Sequence, residues 1–316
     1  MGITATAGTD SASKTIKDRK NIYVGKSPLQ LSVLRLRRNR LAMVAFWILM
    51  VYAALAILGN FNIFGLQDAA TDFELDNRYV PPFQSWQHIF GTDNFGRDVL
   101  ARVIMGTRIS LFLGAAAGLL MIPIAIVVGS LSGYYGGFVD DIAMYIMSVV
   151  VAIPALLIIM SLVQIMGRTF FIIALAFAVT YWVGLARVIR GSFMQAREYE
   201  YVLAARCLGA GDARIIFKHV MPNLFHFVIV RFILNYVSVI KSEVLLAYLG
   251  LSVIGVPSWG NMIDESKLEL MANHWQNMLA ATIFMFIFLV ALNIFGDSLR
   301  DALDPKLKNV TYKVKN

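Results

Sequence analysis

The chain has 316 residues, 58% of them hydrophobic and 15% charged, with a formal net charge of +8. A soluble domain carries about 25% charged residues, so an ordinary soluble fold is excluded and an all-α membrane protein is expected. The basic residues flank apolar runs, as membrane orientation requires, so the positive balance speaks for a lipid boundary and against nucleic acid.

Residues 1–40 read as a cytoplasmic N-terminal tail, polar to about residue 30 and closed by Arg35, Arg37, Arg38 and Arg40. This late arginine cluster argues against a cleaved signal peptide. Gly25-Lys26-Ser27 resembles the end of a phosphate-binding loop, but Lys20 stands where its first glycine belongs. The first span covers 41–58, short against the roughly 20 apolar residues a membrane helix uses. Residues 59–108 form an external segment, acidic at Asp68, Asp72, Glu74 and Asp76 and broken at Pro81-Pro82.

A permease-like core with five further spans is expected over 109–305. Its first span, about Ile109 to Leu131, contains Gly114 and Gly118, a face for close helix packing. A loop from Ser132 to Asp141 turns back inside. The next span, about Ile142 to Met166, carries Pro154, which removes one backbone bond and kinks a helix. The remaining spans are about Thr169 to Ala186, Leu224 to Ser242 and Met278 to Phe295, with an external hairpin over Glu243 to Asn277. Residues 306–316 are a basic cytoplasmic tail, which gives six spans with both ends inside.

Between the fourth and fifth spans lies a polar, basic stretch, 198–223. Helix-forming residues run to Leu208, Gly209-Ala210-Gly211 breaks them, and Asp212 can cap a second short helix ending near Pro222. Two short helices on a glycine elbow make a knob. Ala204, Ala205 and Gly209 let another protein approach closely, and Arg206, Arg214, Lys218 and His219 form a positive rim. The alternative is an amphipathic loop lying on the lipid surface. Cys207, the single cysteine, falls in this stretch; it excludes an intrachain disulfide and fits a reduced thiol.

The knob resembles the loop that marks ABC importer permeases: Glu-Ala-Ala, three residues, Gly, then a stretch ending in Pro. Ala204, Ala205, Gly209 and Pro222 keep that spacing, while Leu203 stands where the family usually has Glu. Three further runs resemble the dipeptide/oligopeptide branch of that family. They are Phe90-Gly-Thr-Asp-Asn-Phe-Gly-Arg-Asp98, Ser242 to Leu251 with Pro257-Ser-Trp-Gly260, and Gly296 to the Asp304-Pro305 stop.

The resemblance implies the type I importer permease fold with six transmembrane helices, and the second (C-type) permease of a peptide or nickel system. It implies coupling to an ATPase through Ala204, Ala205, Arg206, Gly209, Ala210, Asp212, His219 and Pro222. Arg97, Asp98, Glu243 and Trp259 are candidates for the translocation path or an external gate. The implied partners are a second homologous permease, two nucleotide-binding ATPase subunits, an external substrate-binding protein and membrane lipid. The implied location is a bacterial or archaeal cell membrane, the inner one in a Gram-negative cell.

Read directly, Thr92 or Asp93 can cap the helix that follows, and Ser242 to Leu251 is too short to span, so it could dip back as a half-helix. Ionisable groups at membrane depth face a partner or a water-filled path; Arg231, Lys241 and Glu243 qualify. His88, His219, His226 and His274 are scattered without metal spacing, and no catalytic constellation is found. No cofactor is expected on this chain; ATP and Mg would sit on the partner ATPase subunits. Nickel complexes or oligosaccharides are the alternative cargo. A self-contained secondary transporter is the alternative class, although inverted repeats and midplane charges are not clear here.

Overall fold

A computed structural model describes residues 28–59 and 65–303. Gly25-Lys26-Ser27, Asp304-Pro305 and the basic tail from Lys306 lie outside the described residues. Among those described, the regular structure is helical apart from one isolated bridge between Thr92 and Asp98. Helix α1 spans Pro28–Arg38 and α2 Arg40–Leu58. The arginine cluster therefore begins inside a helix. Asn39 separates the two helices and caps α2, its side-chain oxygen accepting the Leu41 and Ala42 amides.

After the short α3, Leu66–Thr71, the chain makes an irregular external segment and enters α4, Val99–Tyr135. This helix of 37 residues is longer than the expected span at both ends. Asp98 caps it, its carboxylate accepting the Ala101 amide at 2.7 Å, so Thr92 and Asp93 are not the cap. Arg102, Thr107 and Arg108 interrupt the apolar residues from Val99 to Arg108, which is why the uninterrupted hydrophobic run started late. At the other end the expected loop from Ser132 is helix up to Tyr135, and the turn is confined to Gly136 (φ 68°).

The glycines of α4 place it at the centre of the molecule. A β-carbon at Gly114 or Gly118 would fall within 2.8 Å of Tyr236 or 2.2 Å of Phe232, and one at Gly129 or Gly133 within 2.6 Å of the Ala186 carbonyl or 2.4 Å of the Arg190 carbonyl. Two faces of α4 thus meet two other long helices: α7, Phe170–Ala196, and α9, Asp212–Tyr248. Close packing is the role expected for the first glycine pair. The outer layer is α2 with α11, Gln276–Leu303, joined where the Tyr52 hydroxyl donates to the Phe284 carbonyl at 2.8 Å.

Among the described residues, five helices are long and apolar enough to cross a membrane: α2, α4, α7, α9 and α11. A bent pair, α5 (Gly137–Ala152) and α6 (Ala155–Met166), at 84° to each other, makes a sixth when the two are counted as one broken span. The expected proline kink is therefore a full break. Pro154 has no N–H and disfavours helix at Ile153, and the chain restarts as a new helix beyond it.

Two more expectations change at α9. The second short helix of the knob does not stop near Pro222. A π turn over Ile215–Val220, with Met221 N–H bonded to the Ile216 carbonyl, shifts the hydrogen-bond register just before the proline, and the helix continues. At the outer end, Ser242 to Tyr248 is the last part of α9 and not a separate half-helix. The external hairpin contains α10, Trp259–Met271, capped by Ser258.

Candidate functional site

The knob is a shaped, anchored element. Helix α8, Glu200–Cys207, and the start of α9 are pinned by Val202, Ile215, Ile216 and Val220, all buried against Ile189 and Phe193 of α7. Each such side chain contributes about 1.5–3 kcal/mol when fully buried. The elbow closes α8 with two bonds, Gly209 N–H to the Arg206 carbonyl and Ala210 N–H to the Ala205 carbonyl, each 3.0 Å. This is the six-residue closure that a left-handed residue permits, and Gly209 supplies it at φ 80°. Nothing among the described residues lies within 4 Å of where its side chain would begin.

Asp212 does not cap α9. Gly211 holds the cap position without a side-chain bond, and the Asp212 carboxylate instead accepts the Tyr134 hydroxyl at 2.7 Å. Arg206 donates to that same hydroxyl at 3.1 Å, with its guanidinium 5.5 Å from the ring centre. Tyr134, at the inner end of α4, thus ties both arms of the knob to the central helix. Beside it, Arg190 grips Asp140 through two bonds of 2.5 and 2.6 Å, and Ser132 also donates to Asp140.

What the knob presents outward is partly apolar. Leu203, Leu208 and Phe217 are exposed, Leu208 at 89%. Ala204, Arg206, Asp212 and Pro222 are also on the surface, while Ala205, Ala210 and His219 are half-buried. The His219 carbonyl accepts the Asn223 side chain at 2.9 Å.

The external end of α4 is built differently. Buried Asp93 accepts the Phe95 and Arg97 amides at 2.9 Å, and its second oxygen accepts Arg97 Nε at 2.7 Å and Arg102 Nη1 at 2.6 Å. Glu265 of α10 receives the other ends of both guanidiniums, at 2.6 and 2.9 Å. Arg97 is thus paired inside the chain, with Asp93 and Glu265. Asp98 meets His88 at 3.0 Å besides capping α4. Glu269 accepts the Asn94 amide at 3.0 Å, and burial pushes its carboxyl above the usual range.

Trp259 and Glu243 lie between these two ends, inside the packing. Trp259 is fully buried, donates to the Val103 carbonyl at 3.1 Å and fits against Gly106. Glu243 is buried beside Gly260, and neither carboxylate oxygen makes a hydrogen bond of ordinary geometry among the described residues. Neither side chain opens onto a free surface of this chain. Reading by motif missed Arg102 and Tyr134. Arg102 lay within the stretch read as an external segment, and Tyr134 stood in a Gly-Tyr-Tyr-Gly-Gly run that read as a loop.

Spans packed around one central helix, with an anchored knob at one end and an ion-paired cap at the other, are the architecture of a multi-pass membrane permease. The chain belongs to the family described as binding-protein-dependent transport system inner membrane component, which matches residues 125–309. Residues 27–82 match the N-terminal transmembrane domain of oligopeptide transport permease C. The chain is 38% identical over 275 residues to the dipeptide transport system permease protein DppC of Bacillus subtilis, covering 87% of this chain and 84% of that protein. It is 39% identical to the oligopeptide permease OppC of the same organism, covering 88% and 89%. The glutathione transport system permease protein GsiD of Pectobacterium atrosepticum is 34% identical, covering 87% and 90%. Among solved structures, a chain of the MetNI methionine ABC transporter in an inward-facing form shares the fold. It has a TM-score of 0.53 at 13% identity, covering 64% of this chain and 96% of that one. The fold is thus that of a type I ABC importer permease, seated in the cell membrane.

Proposed function

We propose that this chain forms half of an ATP-driven path for di- or oligopeptides, with a second, related permease as the other half. An external substrate-binding protein delivers the cargo, and two ATPase subunits carry the ATP and Mg. The observation that carries the reading is the knob. It is held rigidly to the spans by buried Val202, Ile215, Ile216 and Val220, yet it leaves Leu203, Leu208 and Phe217 uncovered. An element that is fixed on one side and apolar on the other suits a groove in a moving partner, and its anchoring lets closure of that partner rock the spans as a body. The peptide cargo is supported by the names of the relatives at 38% and 39% identity.

The test is to co-express the chain with its candidate partner subunits and reconstitute the complex in liposomes. Uptake of a labelled dipeptide or pentapeptide should require ATP and the binding protein, and the purified chain alone should hydrolyse no ATP. Uptake by the chain alone, driven by an ion gradient, would overturn the proposal in favour of a secondary transporter.

A further inference from the structure

We infer that the break between α5 and α6, together with the Ser161 and Gln164 face of α6, lines the translocation path and offers uncharged hydrogen-bonding groups to the main chain of the cargo. The inference rests on the permease reading above and assigns a part of the chain that none of the motifs touched.

The first observation is the backbone. A helix leaves its last four carbonyls without intrahelical donors. For α5 these are Val149 to Ala152, and no other donor among the described residues reaches them. Val151, Ala152, Ile153 and Pro154 are all exposed. The break lies midway in an apolar segment that carries no charged residue from Ile142 to Gly167. Bare carbonyls at membrane depth are tolerated only inside protein or along a water-filled path, because lipid offers no donor.

The second observation favours the water-filled path. On α6, Ser161 and Gln164 follow Leu157 at intervals of four and three residues, so the three share one face. Both polar side chains are exposed, and neither makes a hydrogen bond to the rest of the described chain. They open into a hollow of about 410 Å³ whose far wall is Leu251, just beyond the end of α9. Ser and Gln turned outward on an otherwise apolar helix suit water and a polar cargo better than a hydrocarbon surface. Carbonyls, a hydroxyl and an amide match peptide N–H and C=O groups whatever the side chains, and the lack of charge removes any preference for acidic or basic cargo.

The experiment uses the assembled transporter with single cysteines at Ser161, Gln164 and Trp47, in a Cys207→Ser background first checked for uptake. Right-side-out and inside-out vesicles are treated with a small, permanently charged thiol reagent. Reaction needs a hydrated thiolate. Cysteines 161 and 164 should react about tenfold faster than 47, on the exposed outer face of α2, from one side or the other, and their modification should stop uptake of a labelled dipeptide. Gln164→Leu should lower uptake about threefold to tenfold, equally for acidic, basic and neutral dipeptides, as the loss of one hydrogen bond in transit implies. Unreactive cysteines at both positions, or modification that leaves uptake intact, would overturn the inference while the permease reading stands. Absence of dipeptide uptake by the native assembly would instead strike the permease reading, and labelling in the same membranes would still tell whether this face meets water.

Discussion

The two ends of α4 present opposite solutions. At the outer end, Arg102 shares Asp93 and Glu265 with Arg97 in a network whose Asp93 and Arg102 are buried. At the inner end, about 48 Å away along the helix, Tyr134 holds the knob by two hydrogen bonds while the knob's apolar side chains face outward. At the outer end the charged groups find their partners within the chain. The inner end leaves Leu203, Leu208 and Phe217 exposed. One helix therefore joins an ion-paired region to a region that, in the function proposed above, is completed by assembly.

Breaking the outer end should have the largest effect. Asp93→Ala strands two guanidiniums, one of them fully buried, and removing one partner of a buried pair costs about 3–5 kcal/mol. Thermal unfolding of the detergent-solubilised chain should shift down strongly. A near-native melting curve would mean that the network is not what holds the external segment to α10.

Next comes the seam between α4 and α7. Gly133→Val drives a side chain into the Arg190 carbonyl, and overpacking of this kind costs about 1–3 kcal/mol. Reduced melting temperature and reduced amounts in the membrane should both be seen; Gly191→Val, with open space around it, is the matched control.

Gly209→Val sharpens the comparison, because it should separate folding from assembly. A side chain at φ 80° costs about 1–2 kcal/mol, local to the elbow. The chain should insert at normal levels but lose co-purification with the ATPase and lose uptake. Normal uptake with the ATPase bound would make the knob an ordinary surface loop.

The smallest effect is expected for Tyr134→Phe, which deletes the shared hydroxyl, about 0.5–1.5 kcal/mol per hydrogen bond. Stability should fall slightly, while ATP hydrolysed per peptide moved should rise as the knob loosens from α4. Asp212→Ala should act in the same direction, because Asp212 ties the knob to Tyr134 and does not cap a helix.

These residues also show how much could be read in advance. The spans were legible because apolar runs of about 20 residues have few alternatives in water. The elbow was legible because glycine at a helix end has a local cause, and φ 80° at Gly209 is that cause. Asp212 was misread because its local option, a cap, is visible in sequence, whereas its real partner lies 78 positions away. The outer network was hidden for the same reason: Arg97 meets Glu265 across 168 positions. Helix α10 went unread because its mixed composition fits a hairpin as well as a helix. Pro154 announced a disturbance, but not whether the helix would bend or end; the 84° angle depends on what α6 packs against, which is α7.

The glycine seams of α4 also bear on stiffness. Where two helices meet through long side chains, rotamers can adjust and absorb a small sliding motion before the backbone follows. At Gly129 and Gly133 the backbone of α7 lies directly on α4, with no layer of side chains to take up slack. A displacement imposed on α7 at its inner end therefore reaches α4 without damping. The compliance of the permease lies elsewhere, in the break before α6 and in the sparse contacts of α5. Those are the parts free to yield when the rest turns as a block, on the microsecond-to-millisecond scale of collective helix motions.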